Sequence, residues 1–177
     1  MMRRIAIPAA VVAAIVLILP AIAIAGGVGS DLARVRAATA PFHQLDVALA
    51  EGYGPLHTCT DEESGLGAMG QHYVKGSVVG DTVFDLAQPE VLVYEPTSNG
   101  RMRLVAVEFV VFADAWAEVS SSPPALFGRQ LALVPEPNRY GVPAFYQIHV
   151  WLWKSNPAGM FSDWNERVSC RGMGDPQ

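Results

Sequence analysis

Glu108 is the residue whose setting most clearly indicates chemistry, because it interrupts the apolar stretch 104–112. If this stretch is a β-strand, Glu108 shares one face with alternate apolar side chains, namely Leu104, Ala106, Val110 and Phe112. A carboxylate on such a face is costly unless it is paired, hydrogen-bonded or bound to a metal. The sequence therefore predicts that Glu108 has a partner inside the fold.

Two histidines in predicted strands can supply that partner. His149 lies on a strand face that is otherwise aromatic and polar, and His72 lies in a short segment between two glycines. Two imidazoles and a carboxylate suit a divalent Zn, Mn, Fe or Cu ion. The predicted metal ligands are therefore His72, Glu108 and His149, with Glu95 at the end of another predicted strand as an additional candidate.

The same residues allow other interpretations. Glu108 and one histidine can form a buried hydrogen-bonded pair without a metal, or Glu108 can face solvent. Neither an HxH nor an HExxH motif is present, so ligand spacing does not choose among these alternatives. No GxSxG motif indicates a nucleophile, and no catalytic residue is assigned.

Aromatic residues suggest a second kind of site. Tyr94, Trp151 and Trp153 are predicted to line a ligand pocket near His149, because aromatic walls with a few polar groups are typical of such pockets. The alternative is that these large side chains simply fill the core.

These residues must be positioned by helices followed by strands. Apolar spacing favours one kinked helix or two short helices over 30–51, and glycines and polar residues favour a loop over 54–70. Strands are predicted at 71–74, 90–95, 101–112 and 144–153, with 127–134 as a further candidate. The expected fold is α+β, with an N-terminal helix followed by an antiparallel sheet that forms a sandwich or an open barrel.

The first 25 residues have the pattern of a secretory signal peptide. Arg3 and Arg4 precede an uncharged apolar stretch, and Ala23-Ile24-Ala25 provides small residues for cleavage. We expect cleavage after Ala25, which leaves 26–177 as one exported domain, β-rich over 70–177, in the periplasm or outside the cell. The alternative is an uncleaved membrane anchor.

The net charge and the cysteine content narrow the range of possible partners and functions. The formal net charge is −5 and becomes −7 when Arg3 and Arg4 are removed, which argues against nucleic acid as a partner. Cys59 and Cys170 are the only cysteines, and in an oxidising compartment such a pair usually forms a disulfide. Free thiols or metal ligands are the alternative, although no CxxC motif is present.

Several segments resemble a family of uncharacterised bacterial exported proteins. The similarity covers roughly 37–170 and is carried by GAMGQHYV, PEVLVYEP, HVWLWK and NPAGMF, together with the segment from Trp164 to Cys170. The resemblance implies export, a single domain and the Cys59–Cys170 pair, but no activity. The function expected from the sequence is a small exported binding protein with a metal or small-ligand pocket. The alternatives are a metal-dependent extracytoplasmic enzyme and an envelope interaction domain without a ligand.

Overall fold

The computed structural model describes residues 27–62 and 65–171. The predicted signal peptide over 1–25 lies outside the described residues. Helix α1 (Val28–Thr39) leads through a 3₁₀ turn (Ala40–His43) into helix α2 (Leu45–Ala50), where the sequence favours one kinked helix or two short ones. Pro41 occupies the start of the 3₁₀ turn, where its missing N–H and fixed φ are tolerated.

A curled antiparallel sheet of six strands forms a half-barrel, in strand order β1-β2-β3-β4-β8-β7. The open-barrel form of the predicted α+β fold is therefore the closer description. The sandwich alternative is not found among the described residues, because the second sheet contains only β5 and β6. The strands are β1 (Gly54–Asp61), β2 (Ala68–Val74), β3 (Val91–Pro96), β4 (Met102–Phe112), β5 (Ala125–Leu126), β6 (Arg129–Gln130), β7 (Ala132–Val134) and β8 (Phe145–Val150).

Two local predictions are wrong, and one helix is missed. The loop expected over 54–70 contains the edge strand β1, whose pairing with β2 is irregular between Leu56 and Thr60 and whose side chains are largely exposed. The single strand expected over 127–134 is divided: Phe127 and Gly128, both with positive φ, form the turn between β5 and β6, and after Leu131 the chain passes to β7 in the other sheet. Helix α3 (Ala113–Val119), directly after β4, is not predicted.

The sheet separates two hydrophobic clusters. The helix-side cluster packs α1 and α2 against side chains such as Leu92, Tyr94 and Phe109. The opposite cluster contains alternate residues of the same strands, including Val91, Val93 and Val110. Glu108 belongs to this second face, because it lies two residues before Val110 on β4.

A bulge in β4 changes which residues share that face. Val93 pairs with Ala106 and Tyr94 pairs with Leu104, so Val105 has no partner of its own. Leu104 consequently packs in the helix-side cluster, and the prediction that it shares a face with Glu108 is wrong. The Val105 carbonyl accepts hydrogen bonds from the N–H groups of Trp153 (3.1 Å) and Lys154 (3.2 Å), which fix the chain after β8.

The C-terminal segment is linked to strands β1 and β2 at one edge of the sheet. The predicted disulfide between Cys59 and Cys170 is confirmed, and it joins residues 111 positions apart. Ala68 and Asn165 exchange two backbone hydrogen bonds of 3.2 Å, so the segment also pairs with β2. None of the helices in the described part of the chain has the length and apolar character needed to cross a membrane.

Candidate metal centre

Three strands of the main sheet, β2, β4 and β8, carry His72, Glu108 and His149. Glu108 on β4 lies directly opposite His149 on β8. His72 is on β2, separated from β4 by β3. Because the sheet is curled, the imidazole of His72 approaches the carboxylate of Glu108 across β3. The structure thus brings together the three side chains that sequence reasoning selected as metal ligands.

The three side chains form a compact, buried group. The Nε2 atom of His72 is 3.7 Å from Oε2 of Glu108, and the Nδ1 atom of His149 is 3.5 Å from Oε1 of the same carboxylate. One potential ligand atom from each residue lies within 4.8 Å of those of the other two. The three residues are at most 4 % exposed, so the group is removed from bulk water.

The ring nitrogens of both histidines lack hydrogen-bond partners. Nδ1 and Nε2 of His72 and of His149 are all buried and unpartnered. The distances of 3.5 and 3.7 Å to Glu108 exceed those of ordinary N–H···O hydrogen bonds. Buried polar atoms are normally satisfied, so the two unpartnered nitrogens that face the carboxylate, Nε2 of His72 and Nδ1 of His149, indicate that a further group fits between them and Glu108.

The electrostatics keep His72 neutral. Burial, followed by the nearby His149, lowers the pKa of His72 to about 3. Its imidazole therefore has a free lone pair at any physiological pH, as a metal ligand requires.

Glu108 and His149 together retain a proton. Burial raises the pKa of Glu108, and His149 offsets only part of this effect. Burial alone would lower the pKa of His149, but the charges of Glu108 and Asp163 outweigh it and raise the pKa above its ordinary value. Because the pKa values of Glu108 and His149 are both raised, a proton stays on this pair to higher pH than it would on isolated side chains.

Asp163 is a member of the site that sequence reasoning missed. Its Oδ1 atom is 3.6 Å from Nδ1 of His149, and its side chain is 41 % exposed. The irregular segment that carries it is held against the sheet by the Trp151 indole, which donates a 2.6 Å hydrogen bond to the Ser162 carbonyl. No periodic pattern marks Asp163, because its position depends on this tertiary contact.

A cavity of about 200 Å³ adjoins the group. His72 and Glu108 form part of its wall, and the remaining wall is mostly aliphatic and aromatic. Two polar side chains, Tyr140 and Gln147, complete it. The Gln147 amide oxygen is buried without a hydrogen-bond partner, and the Tyr140 ring lies 6.0 Å from the His72 ring.

Glu95, the additional candidate ligand, does not join the group. Its two carboxylate oxygens accept hydrogen bonds of 2.7 and 2.8 Å from the Lys154 ammonium, and Arg103 lies 3.8 Å away. Glu95 is therefore the partner of two cations at the end of the β3–β4 hairpin.

The predicted aromatic pocket is divided between different parts of the molecule. Trp151 stacks on His149 with ring centres 6.0 Å apart. Tyr94 packs in the helix-side cluster and donates a hydrogen bond to the Phe42 carbonyl, and Trp153 contacts Arg36 and His43. None of the three lines the cavity beside Glu108, so they do not form one pocket there.

Comparison of the chain with protein-family models, with curated proteins and with solved structures finds no match. The resemblance to exported bacterial proteins therefore stays a prediction, and the functional argument depends on the geometry of the site.

Proposed function

We propose that this protein is an exported metal-binding protein, in which His72, Glu108 and His149 hold a divalent transition-metal ion. The observation that carries the proposal is the pair of buried imidazole nitrogens without a hydrogen-bond partner, Nε2 of His72 and Nδ1 of His149, that face the Glu108 carboxylate. A metal ion is the group that satisfies imidazole and carboxylate donors at once.

The spacing of the donor atoms supports this proposal. Tetrahedral zinc with bonds of about 2.0–2.1 Å has neighbouring ligand atoms about 3.3 Å apart. The His149 and His72 nitrogens lie 3.5 and 3.7 Å from the two different oxygens of Glu108, and one ligand atom from each of the three residues lies within 4.8 Å of the other two. Side-chain rotations that draw these atoms together around the ion would complete a three-ligand zinc site with one position open.

A metal-free structural pair explains the arrangement less well. If Glu108 served only to satisfy a histidine, one direct hydrogen bond near 2.9 Å would be expected. The carboxylate instead lies between two imidazoles at distances too long for such a bond. An ion between the three groups accounts for both separations.

Export is the second part of the proposal. The Cys59–Cys170 disulfide is typical of oxidising compartments, which the periplasm and the cell exterior provide. The expected cleavage after Ala25 agrees with this location. Intact-mass measurement of protein recovered outside the cytoplasm would test cleavage, and a membrane-bound species that retains Met1 would contradict it.

Metal analysis of the purified protein tests the binding function. We expect one equivalent of Zn²⁺ to bind, and Glu108→Gln and His149→Gln to weaken binding at least about tenfold, as loss of a ligand should. Glu95→Gln and His43→Gln are matched controls, because they remove a carboxylate and an imidazole elsewhere. Failure of the wild type to bind Zn²⁺, Cu²⁺, Mn²⁺ or Fe²⁺, or unchanged affinity of Glu108→Gln, would refute the function.

A metal-dependent enzyme is a second candidate, favoured by the cavity that His72 and Glu108 border. Three protein ligands with an open position are typical of catalytic zinc. Turnover of an ester by the zinc-loaded wild type, absent from Glu108→Gln and unaffected in Glu95→Gln, would favour catalysis over binding alone.

A further inference from the structure

We infer that the ligand of this site is a small aromatic or branched aliphatic monocarboxylate, with its carboxylate on the metal and its hydrocarbon body in the adjoining cavity. This inference rests on the proposed function, because the metal supplies the attraction for the carboxylate. It goes further by naming the chemical class of the ligand.

The charge of the site selects a monoanion. A divalent ion held by neutral His72, neutral His149 and ionised Glu108 has one positive charge in excess. Asp163 adds a negative charge 3.6 Å from His149, but its side chain is 41 % exposed to water, and the positive charge of Arg139, which acts on His72, opposes it. Neither residue lines the cavity, so the excess positive charge remains on its wall. No lysine or arginine lines the cavity among the residues that the structure describes. One carboxylate therefore neutralises the buried centre, whereas a cation would be repelled and a dianion would leave an uncompensated buried charge.

The side chains that line the cavity favour a ligand with an apolar hydrocarbon group. The side chains that line it include Val79, Val91, Val110, Phe112 and Phe145, and the volume is about 200 Å³. An apolar protein cavity of about 150 Å³ holds a benzene molecule. The cavity therefore has room for one aromatic ring or a short branched chain.

Gln147 provides an independent indication of a ligand. It lies two residues before His149 on β8, so the two side chains share a face about 7 Å apart. Gln147 is only 5 % exposed, and its amide oxygen has no hydrogen-bond partner. A hydroxyl group at the end of the ligand opposite the carboxylate would satisfy this amide, so 4-hydroxybenzoate should bind more tightly than benzoate.

Titration of the cobalt-loaded protein with small carboxylates tests the inference. The visible absorption of Co²⁺ reports both metal binding and a change in its ligands. We expect benzoate to change the spectrum at concentrations at least tenfold lower than those needed for acetate, which has the same carboxylate group but no ring. Benzylammonium, which has the ring but the opposite charge, should leave the spectrum unchanged. Equal affinities for benzoate and acetate, or a spectrum insensitive to benzoate, would overturn the inference.

A pair of variants tests the cavity itself. Val79→Phe places a ring in the cavity and should weaken benzoate binding at least tenfold while one equivalent of Co²⁺ still binds. Val83→Phe is the matched control, because Val83 is 62 % exposed and does not line the cavity.

The two proposals fail in different ways. If the wild type binds no metal, the proposed function and this inference both fail. If Co²⁺ binds normally but Val79→Phe takes up benzoate as well as the wild type does, only the assignment of the ligand to the cavity fails.

Discussion

The carboxylate of Glu108 and the imidazole of His149 face each other across β4 and β8, with Oε1 and Nδ1 3.5 Å apart. Both side chains are buried, and both have a pKa above the ordinary value. The register of two neighbouring strands therefore places a carboxylate and an imidazole side by side, where protons would compete with a metal ion for the same two groups.

The first prediction is that metal affinity falls as the pH is lowered. Metal binding requires an ionised Glu108 and a neutral His149, and the raised pKa of each means that protons compete at higher pH than usual. Below the pKa of His149, each displaced proton should cost about tenfold in affinity per pH unit. His72 should not contribute, since its pKa is about 3.

Calorimetry of Zn²⁺ binding from about pH 5.5 to 8.5, a range spanning the ordinary pKa of histidine, would measure this dependence. Buffers with different ionisation enthalpies would count the protons released. An affinity that is the same at both ends of the range would contradict the assignment of His149 and Glu108 as ligands.

The second prediction concerns Asp163, which lies 3.6 Å from Nδ1 of His149. Its negative charge favours a cation in the site, so Asp163→Asn should weaken zinc binding by about 10-fold at high pH, in the range seen for groups that support metal ligands. Because Asp163 also raises the pKa of His149, the pH profile of the variant should move to lower pH. Asp46→Asn, an exposed carboxylate on α2, is the control. An unchanged pH profile would show that Asp163 does not act on His149.

The grouping of His72, Glu108 and His149 could be predicted from the sequence because one physical conflict marks it. A glutamate within the apolar stretch 104–112 needs a partner, and His149 is on the next strand that combines alternation with polar groups. His72 followed from its predicted strand location. Two features could not be predicted from the sequence. One is the curl of the sheet, which brings the His72 side chain close to Glu108 across β3, and the other is the long-range contact that brings Asp163 to the site.

The errors in the fold have equally local causes. Leu104 changes face because the bulge at Val105 depends on pairing between strands, which the period of a single strand does not reveal. Their residue types predict a pocket position for Tyr94 and Trp153, but the helices cover that side of the sheet. Aromatic composition alone does not say which face of a curled sheet is closed by helices.

The third prediction concerns the disulfide. Replacing both Cys59 and Cys170 by serine opens a loop of 111 residues, which should reduce the free energy of unfolding by about 4–5 kcal/mol in the chain-entropy account. Urea unfolding of the wild type and the double variant measures this difference. A loss below about 1 kcal/mol would contradict the chain-entropy account, because folded-state contacts such as the Ala68–Asn165 pairing do not restrict the unfolded chain.

The fourth prediction concerns Glu90, which is only 1 % exposed and accepts a 3.1 Å hydrogen bond from the N–H of Val110. Burial raises the pKa of Glu90 to about 8, against an ordinary value of 4.5. Between these two pH values the folded protein holds a proton that the unfolded chain has lost, so stability decreases as the pH rises. The stabilising effect is fully present below about pH 4.5 and is lost as the pH passes through about 8.

Glu90→Gln should remove this dependence. The glutamine oxygen can still accept from Val110, and the neutral amide resembles the protonated acid. The variant should match the wild type near pH 5 and exceed its free energy of unfolding by on the order of 1–3 kcal/mol at pH 8. Urea unfolding of the metal-free proteins at both pH values measures the difference, with the exposed Glu118→Gln as control. If Glu90→Gln destabilises the protein equally at both pH values, Glu90 is ionised in the folded state and its carboxylate is held by contacts stronger than the cost of burial.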